Sequence, residues 1–495
     1  MKLVVKNLGA IKKKSEIDLT KRFYTFVGYN NSGKTYISQV IWYLFRQFYL
    51  DFFPTAKFFP NTNLDELFKD HKLDIAVLAP RYYDFLKDGV IKYLGLNNTS
   101  DLLITIDKDI INTELKACVH VMISETHMQG YYEFTKKKGS NELEIRYNSL
   151  ETPILPQLFY QNRFYPMYSP YHSYLPSIYA NGLLSTFFNE IVFTCLFTNT
   201  YDILKKIIFM PSNRTFLPTY YKYLIDGYKQ ERNIISQIIR LEEQNYTEKI
   251  KKLTQKRHTQ GVDELIDKLT ELTSKSEIQP YYADLITDLE KLMQGSIGIE
   301  NVAGIANSEF GFKVDSKTTL EMYQTSTSVN QLTLLYLYLK YWTEESNNFL
   351  IIDEPEENLH PENQIKLLDI LVKFANRNNN RVLFTTHSPL MAEAVNNHAH
   401  ITLLRERGED VEKIIKDHKL TISPNNSAND TLKHSDYATY FFNGEAIKEY
   451  PMTDFGVFFR DFKEAEDKVR TTANTLKEYI YNSQNKKENG KKLSE

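Results

Sequence analysis

Gly28-Tyr29-Asn30-Asn31-Ser32-Gly33-Lys34-Thr35 fits the phosphate-binding pattern G-x-x-x-x-G-K-[ST] without a mismatch. An apolar run, Phe23 to Val27, precedes it as a buried strand would. Val40, Ile41, Tyr43, Leu44 and Phe45 follow it at helical spacing. Strand, glycine loop and helix in that order separate a working phosphate loop from a chance match. The glycines let backbone N–H groups curl around phosphate oxygens, with Asn30, Asn31 and Ser32 forming the rest of the cradle. Lys34 is placed to reach β- and γ-phosphates, and the Thr35 hydroxyl to hold Mg²⁺. The stretch therefore predicts nucleoside triphosphate binding.

A second stretch supplies what such a loop lacks. Asn348-Phe349-Leu350-Ile351-Ile352-Asp353-Glu354 reads as an apolar strand ending in two carboxylates. Consecutive residues leaving a strand diverge, so Asp353 can serve the metal while Glu354 orients and deprotonates water. A further apolar strand, Arg381 to Thr386, runs into His387-Ser388-Pro389. A neighbouring strand of a doubly wound sheet would set the His387 imidazole near a γ-phosphate or its attacking water. Asp353 follows Lys34 by 319 positions (353 minus 34), too many for one uninterrupted β-α-β core. The expected domain is therefore bipartite, closed around an insertion.

Composition narrows the class. A chain of 495 residues suggests two or three units, and 42% hydrophobic with 25% charged residues describes a globular protein with ample core. No apolar run of about 18 residues predicts a membrane-spanning helix. The first residues, Met1-Lys2-Leu3-Val4-Val5-Lys6-Asn7, carry charge too early for a secretory signal. Cys118 and Cys195 make neither a disulfide framework nor a metal site and point to the cytoplasm. A net charge of −3 gives no global pull toward nucleic acid, so any DNA contact must come from local patches.

Four regions emerge along the chain. Residues 1–227 form the first part of the head, with antiparallel strands expected at Leu115–Ile123, Tyr131–Thr135 and Leu143–Tyr147. Lys136-Lys137-Lys138-Gly139-Ser140 reads as a hairpin turn with a basic tip. Residues 153–182 are rich in Pro and Tyr, which suits a packed aromatic lid. Ile207 to Met210 reads as a buried strand. Residues 228–292 are charged and helical in period. Val262, Leu265, Ile266, Leu269 and Leu272 share one face, with Ile234, Ile235, Ile238 and Leu241 expected opposite in a short hairpin turning near Gly261. Lysines at 249–257 cluster near that turn, more often a solvated face than a site. Residues 293–405 complete the head. Residues 406–495 form a separate segment whose polar end, from Asn482, is expected to be disordered.

These motifs together resemble the ABC-type ATPases of the SMC, RecF and OLD branch, which are not transporters. The phosphate loop has that group's G-x-N-x-S-G-K-T form. Asp353-Glu354-Pro355-Glu356-Glu357-Asn358-Leu359-His360-Pro361 resembles its acidic pair running into a dimer-contacting loop. Thr385-Thr386-His387-Ser388-Pro389 resembles its switch-histidine strand. Thr325-Ser326-Thr327-Ser328-Val329-Asn330-Gln331-Leu332 is similar to the signature motif opening a helix, with Ser328 where many relatives have Gly. Pro211-Ser212-Asn213-Arg214-Thr215 is similar to a turn of the same branch, placing Arg214 near nucleotide or partner.

The resemblance implies an α/β fold: a bipartite ABC-type P-loop ATPase head with an antiparallel β lobe and an inserted short helical hairpin. It implies hydrolysis of ATP with Mg²⁺, by Glu354 and His387 as catalytic residues and Thr35 and Asp353 at the metal. It also implies a sandwich in which ATP on one head meets Ser326, Thr327 and Ser328 of another, so that self-association is nucleotide-gated. No fused Toprim nuclease pattern follows His387. The remaining architecture is similar to stand-alone ATPases of bacterial antiviral systems such as PARIS and Septu, which implies a separate effector, a nuclease by expectation. A RecF-like repair ATPase acting directly on DNA is the alternative, resting on the lysines at 136–138 and 249–257.

Overall fold

The computed structural model describes residues 2–47, 72–94, 96, 102–107, 115–124, 127–149, 157–160, 163–166, 206–220, 260–301, 308–420, 422 and 432–492. In chain order, β1 (Lys2–Lys6), β2 (Ser15–Asp18) and β3 (Phe23–Gly28) lead through the phosphate loop into α1 (Lys34–Gln47). Then come β4 (Lys72–Asp74), α2 (Ile75–Leu94) and β5 (Leu103–Asp107). The β lobe follows: β6 (Leu115–Ser124), β7 (His127–Lys136), β8 (Glu142–Ser149), β9 (Gln157–Tyr160) and β10 (Arg163–Pro166). β11 (Lys206–Met210) re-enters the head, followed by α3 (Gln260–Glu271), α4 (Ala283–Met293), β12 (Ser296–Asn301), β13 (Ser308–Lys313) and β14 (Thr319–Glu321). The last third holds α5 (Thr327–Leu337), β15 (Asn348–Asp353), α6 (Pro361–Ala375), β16 (Arg381–Thr386), α7 (Pro389–Glu406) and α8 (Val411–Asp417). β17 (Tyr437–Phe442), β18 (Ile447–Tyr450) and α9 (Arg460–Lys492) end it.

The central sheet has the order β11-β15-β16-β3-β17-β18. All its pairings are parallel except the β17–β18 edge. Every residue of β3, β15 and β17 is buried, as strands covered on both faces require. Strands from residues 23–28 and 348–386 thus interleave in one sheet, which is the bipartite head expected from the spacing of the two motifs. The β lobe is a second six-stranded sheet, β10-β9-β6-β7-β8-β4, antiparallel throughout. Its β7–β8 hairpin has Lys136 buried, so only Lys137 and Lys138 make the tip basic.

α3 lays the face read from its sequence onto the head. Leu265, Ile266, Leu269 and Leu272 are all buried in the main core beside Ile208 and Met210, each worth about 1.5–3 kcal/mol on full burial. Gly261 lies in the first turn of α3, close against Phe209, and not in a connecting turn. α4 is in the same core through Leu285, Ile286, Leu289 and Met293. Residues 260–293 therefore belong to the head itself. The opposing limb with Ile234 and Leu241, and the lysines at 249–257, lie outside the described residues, as does most of 153–182. The expectation of a disordered tail is corrected: α9 continues through Lys492. Polar composition suggested disorder, but residues 482–492 contain no proline to interrupt the helix.

One buried charge joins the two halves. Arg214, at 0% exposure in the turn after β11, donates from Nη1 to the Asp353 carbonyl at 2.6 Å and to the Pro211 carbonyl at 2.9 Å. Its Nε donates to the Gln331 carbonyl at 3.1 Å, and Nη2 reaches the Glu354 carbonyl at 3.4 Å. Arg214 was expected near nucleotide or partner; its guanidinium is spent on carbonyls directly behind the acidic pair. Burial pulls its pKa down to about 10, with Asp353 and Glu356 opposing the shift, so it stays charged at neutral pH. Arg214→Met should lower stability by about 3 kcal/mol or more, because several buried carbonyls lose their donors. Equilibrium chemical denaturation checks this, and a change under about 1 kcal/mol would contradict it.

Candidate functional site

The phosphate loop leaves β3 at the C-terminal edge of the sheet, where α/β sheets place ligands. Gly28 sits at φ +149°, and a Cβ there would lie 2.2 Å from the Phe442 carbonyl oxygen. Gly33, at φ +99°, closes the turn. These two positions demand glycine for conformation, and the first also for space. Asn31 takes φ 55°, which asparagine tolerates better than most residues. Ser32 is buried, and its hydroxyl has no hydrogen-bond partner among the described residues. Lys34 starts α1 and is 5% exposed; its Nζ donates to the carbonyls of Tyr29 at 2.9 Å and Gly28 at 3.1 Å. Burial lowers its pKa to about 8, against the pull of Glu354, Asp353 and Glu356.

β15 brings the acidic pair to the same edge, and β16, lying between β15 and β3, brings the histidine. Asp353 is fully buried, and its Oδ1 accepts the Thr385 hydroxyl at 3.0 Å. Oδ2 is buried without a hydrogen bond of good geometry, although the Thr35 hydroxyl lies close enough to favour the ionised form. Glu354 leaves the strand at φ 45°, a left-handed conformation that costs a glutamate of order 1 kcal/mol or more. That kink turns it away from Asp353 and toward His387, whose Nε2 lies 3.4 Å from Oε1. His387 holds the Glu354 pKa down first by hydrogen bonding, with Lys34 and Arg214 adding to it. Lys34, Thr35, Asp353, Glu354 and His387 are therefore brought together electrostatically and through the sheet.

The signature segment is placed differently. Ser326 caps α5, accepting the Val329 N–H at 3.3 Å, and shares a 2.8 Å hydrogen bond with the Ser328 hydroxyl. Ser326 and Thr327 are exposed, with no hydrogen bond to the phosphate loop among the described residues.

Several residues of the site escaped the sequence reading. Gln331 is fully buried in α5, donating from Nε2 to the Glu354 carbonyl at 3.1 Å, with its Oε1 lacking a partner. Glu356 is buried too; its Oε1 accepts the Thr386 hydroxyl at 2.5 Å and the His387 N–H at 3.1 Å. It thus clasps the end of β16 and fixes where the histidine loop begins. Its own pKa is raised, first by burial. Both lie inside motifs read from the sequence, Glu356 after the acidic pair and Gln331 in the segment opening α5, but neither motif assigned them these contacts.

The arrangement fits a divalent cation: an orphaned buried carboxylate oxygen on Asp353 beside the Thr35 hydroxyl is an all-oxygen donor set of the kind Mg²⁺ takes. Such an ion, when bound, would neutralise phosphate charge. Without it, burial raises the Asp353 pKa from 3.8 to about 6. The folded state then holds the proton more tightly than the unfolded chain. Stability from this group is full below about pH 4, falls as pH rises toward 6, and is level above it. Asp353→Asn should remove that slope and, at pH 7–8 without divalent ions, raise stability by about 1–3 kcal/mol. Denaturation of both proteins between pH 4.5 and 8 checks this; a variant less stable than wild type at pH 8 would contradict it.

No curated protein matches the chain. Among solved structures, an Smc head domain with an extended coiled coil bound to the C-terminal domain of ScpA, derived from Pyrococcus furiosus, is 11% identical, with 95% of this chain and 98% of that one covered at a TM-score of 0.30. The SMC head domain from Thermotoga maritima is 11% identical, covering 91% and 98% at 0.28. An SmcHead bound to the C-winged helix domain of ScpA is 13% identical, covering 79% and 90% at 0.28. Scores this low carry no argument. The family model for the AAA ATPase domain, in contrast, matches residues 1–392, well over half of the sequence. With a nucleotide-binding loop and an acidic pair converging at one sheet edge, the chain belongs to the AAA ATPase domain family and is an ATPase.

Proposed function

We propose that this ATPase is a nucleotide-gated switch, in which Mg-ATP held by one head is closed over by a second copy of the chain. Gly28, Asn30, Asn31, Ser32, Gly33 and Lys34 hold the phosphates, and Thr35 and Asp353 hold Mg²⁺. Glu354 is the general base for the attacking water, with His387 beside it at the γ-phosphate side. A carboxylate kept ionised by an imidazole suits that task, and Lys34 and Arg214 add to the same effect.

One observation carries the switch. Ser326 and Thr327, both exposed, and the partly buried Ser328 crown a helix whose next turn is bonded to the acidic pair: Gln331 donates to the Glu354 carbonyl at 3.1 Å, and its own carbonyl accepts from Arg214. A phosphate arriving from another head would meet free N–H groups and the positive end of the α5 dipole. The same contact would press on the residue that activates water, so closure and hydrolysis would be coupled. ATP favours the closed pair because its γ-phosphate then touches both subunits.

The closed form is the one a separate effector would read, a nuclease in bacterial antiphage defence. That part of the proposal rests on the resemblance of the motifs to stand-alone antiviral ATPases. A cytoplasmic setting goes with it; among the described residues no helix is long and apolar enough to cross a membrane.

Glu354→Gln should bind Mg-ATP and slow hydrolysis by about 10²–10⁴-fold. Light-scattering mass of this variant should rise, or lock at a higher state, on adding Mg-ATP. A monomer under all conditions would contradict the two-headed switch and leave a single-head ATPase.

A further inference from the structure

The second residue of the phosphate loop is held from the far end of the chain. Tyr29 donates its backbone N–H to the Phe442 carbonyl at 3.2 Å, and its ring stands edge-on to Phe441 at 5.5 Å. Its hydroxyl donates to Asp461 Oδ1 at 3.1 Å, across 432 residues of sequence. The other oxygen of that carboxylate accepts the Tyr450 hydroxyl. Tyr450 in turn stacks on Phe441, with ring centres 5.3 Å apart and planes within 4°. Two phenols thus converge on one carboxylate over a small apolar hollow lined by Val27, Phe441, Phe459 and Phe462.

The inner side of the same residue faces the site. The Tyr29 carbonyl accepts from Lys34 Nζ at 2.9 Å. A chain of contacts therefore runs from Asp461, at the root of α9, through the Tyr29 side chain and backbone to the phosphate-binding ammonium. Charge-assisted bonds from O–H to carboxylate are the stronger kind. Phosphate binding by a loop depends on its N–H groups being held in place before the ligand arrives. Half of the Tyr29 side chain is solvated, so the clasp can tune the loop without deciding whether the head folds.

We propose that Asp461, seconded by Tyr450, is a positioning residue for nucleotide binding: it clamps the Tyr29 side chain and thereby pre-forms the phosphate loop. The C-terminal segment after β17 is then a working part of the ATP site and not an appendage. This rests on the reading of residues 28–35 as that site.

The test uses the full chain and two readouts: affinity for Mg-ATP, from titration with a fluorescent ATP analogue, and steady-state kcat and KM. Asp461→Ala and Tyr29→Phe should each raise Kd and KM about three- to tenfold while kcat stays within about twofold. Combining them should be no worse than the weaker single variant, since both remove one hydrogen bond. Asp461→Asn keeps an accepting oxygen and should rescue affinity to within about twofold of wild type. Additive losses in the double variant, or wild-type affinity in Asp461→Ala, would overturn the proposal. So would equal losses in the Asn and Ala variants. Should Asp461→Ala fail to fold, Tyr29→Phe and Asp461→Asn still decide. A wild-type chain that does not bind Mg-ATP overturns the ATP-site reading and this proposal with it; binding by wild type with unaffected variants overturns this proposal alone.

Discussion

A fully buried guanidinium, Arg214, holds the carbonyls of Pro211, Gln331, Asp353 and Glu354 in one place. Those four carbonyls come from the turn after β11, the first turns of α5 and the end of β15. A buried charge without partners would cost several kcal/mol, so the segments must meet at this point for the head to fold. The geometry of the acidic pair follows from that constraint. Glu354 can hold a left-handed backbone only because its N–H donates to Thr385 and its carbonyl accepts from Gln331.

The electrostatics of the site follow from the same burial. Lys34 is pushed down to about 8, Asp353 up to about 6, and Glu354 is held low by His387. Groups with such different environments take different roles. In the proposed function the desolvated ammonium would meet phosphate and the desolvated carboxylate a divalent cation. Ligand binding relieves both at once, which is a physical reason for Mg²⁺ and nucleotide to bind together. Glu354, partly exposed and held toward the ionised form by His387, is the group that suits the proposed role of general base.

Much of this was legible in the chain because the motifs are local. The phosphate loop, the strand ending at Asp353-Glu354 and the strand ending at His387 each announce themselves within ten residues, and parallel pairing then forces them together. The antiparallel strands after residue 114 and the apolar face of residues 262–272 were readable by period alone. Period does not say what a face packs against, so the last face read as one limb of a hairpin when it covers β11. Gln331 and Asp461 were illegible for a different reason. Their roles depend on partners 23 and 432 residues away, to Glu354 and Tyr29, and such distances leave no local pattern. Arg214 was expected near nucleotide or partner from the resemblance of its turn; arginine is rarely buried, and the four converging carbonyls explain why this one is. Asn482 to Lys492 misled through polarity, which disfavours a core but does not forbid a helix.

The proposed hydrolytic centre is built from two distant segments of the chain. The most direct test is single-turnover hydrolysis of pre-bound Mg-ATP in wild type and in chains altered at each segment, with bound nucleotide counted in every case. The account predicts that Lys34→Ala loses nucleotide, whereas His387→Ala retains it and slows the chemical step by about 10-fold or more. Nucleotide retained by Lys34→Ala, or wild-type hydrolysis by His387→Ala, would contradict it and place the chemistry elsewhere.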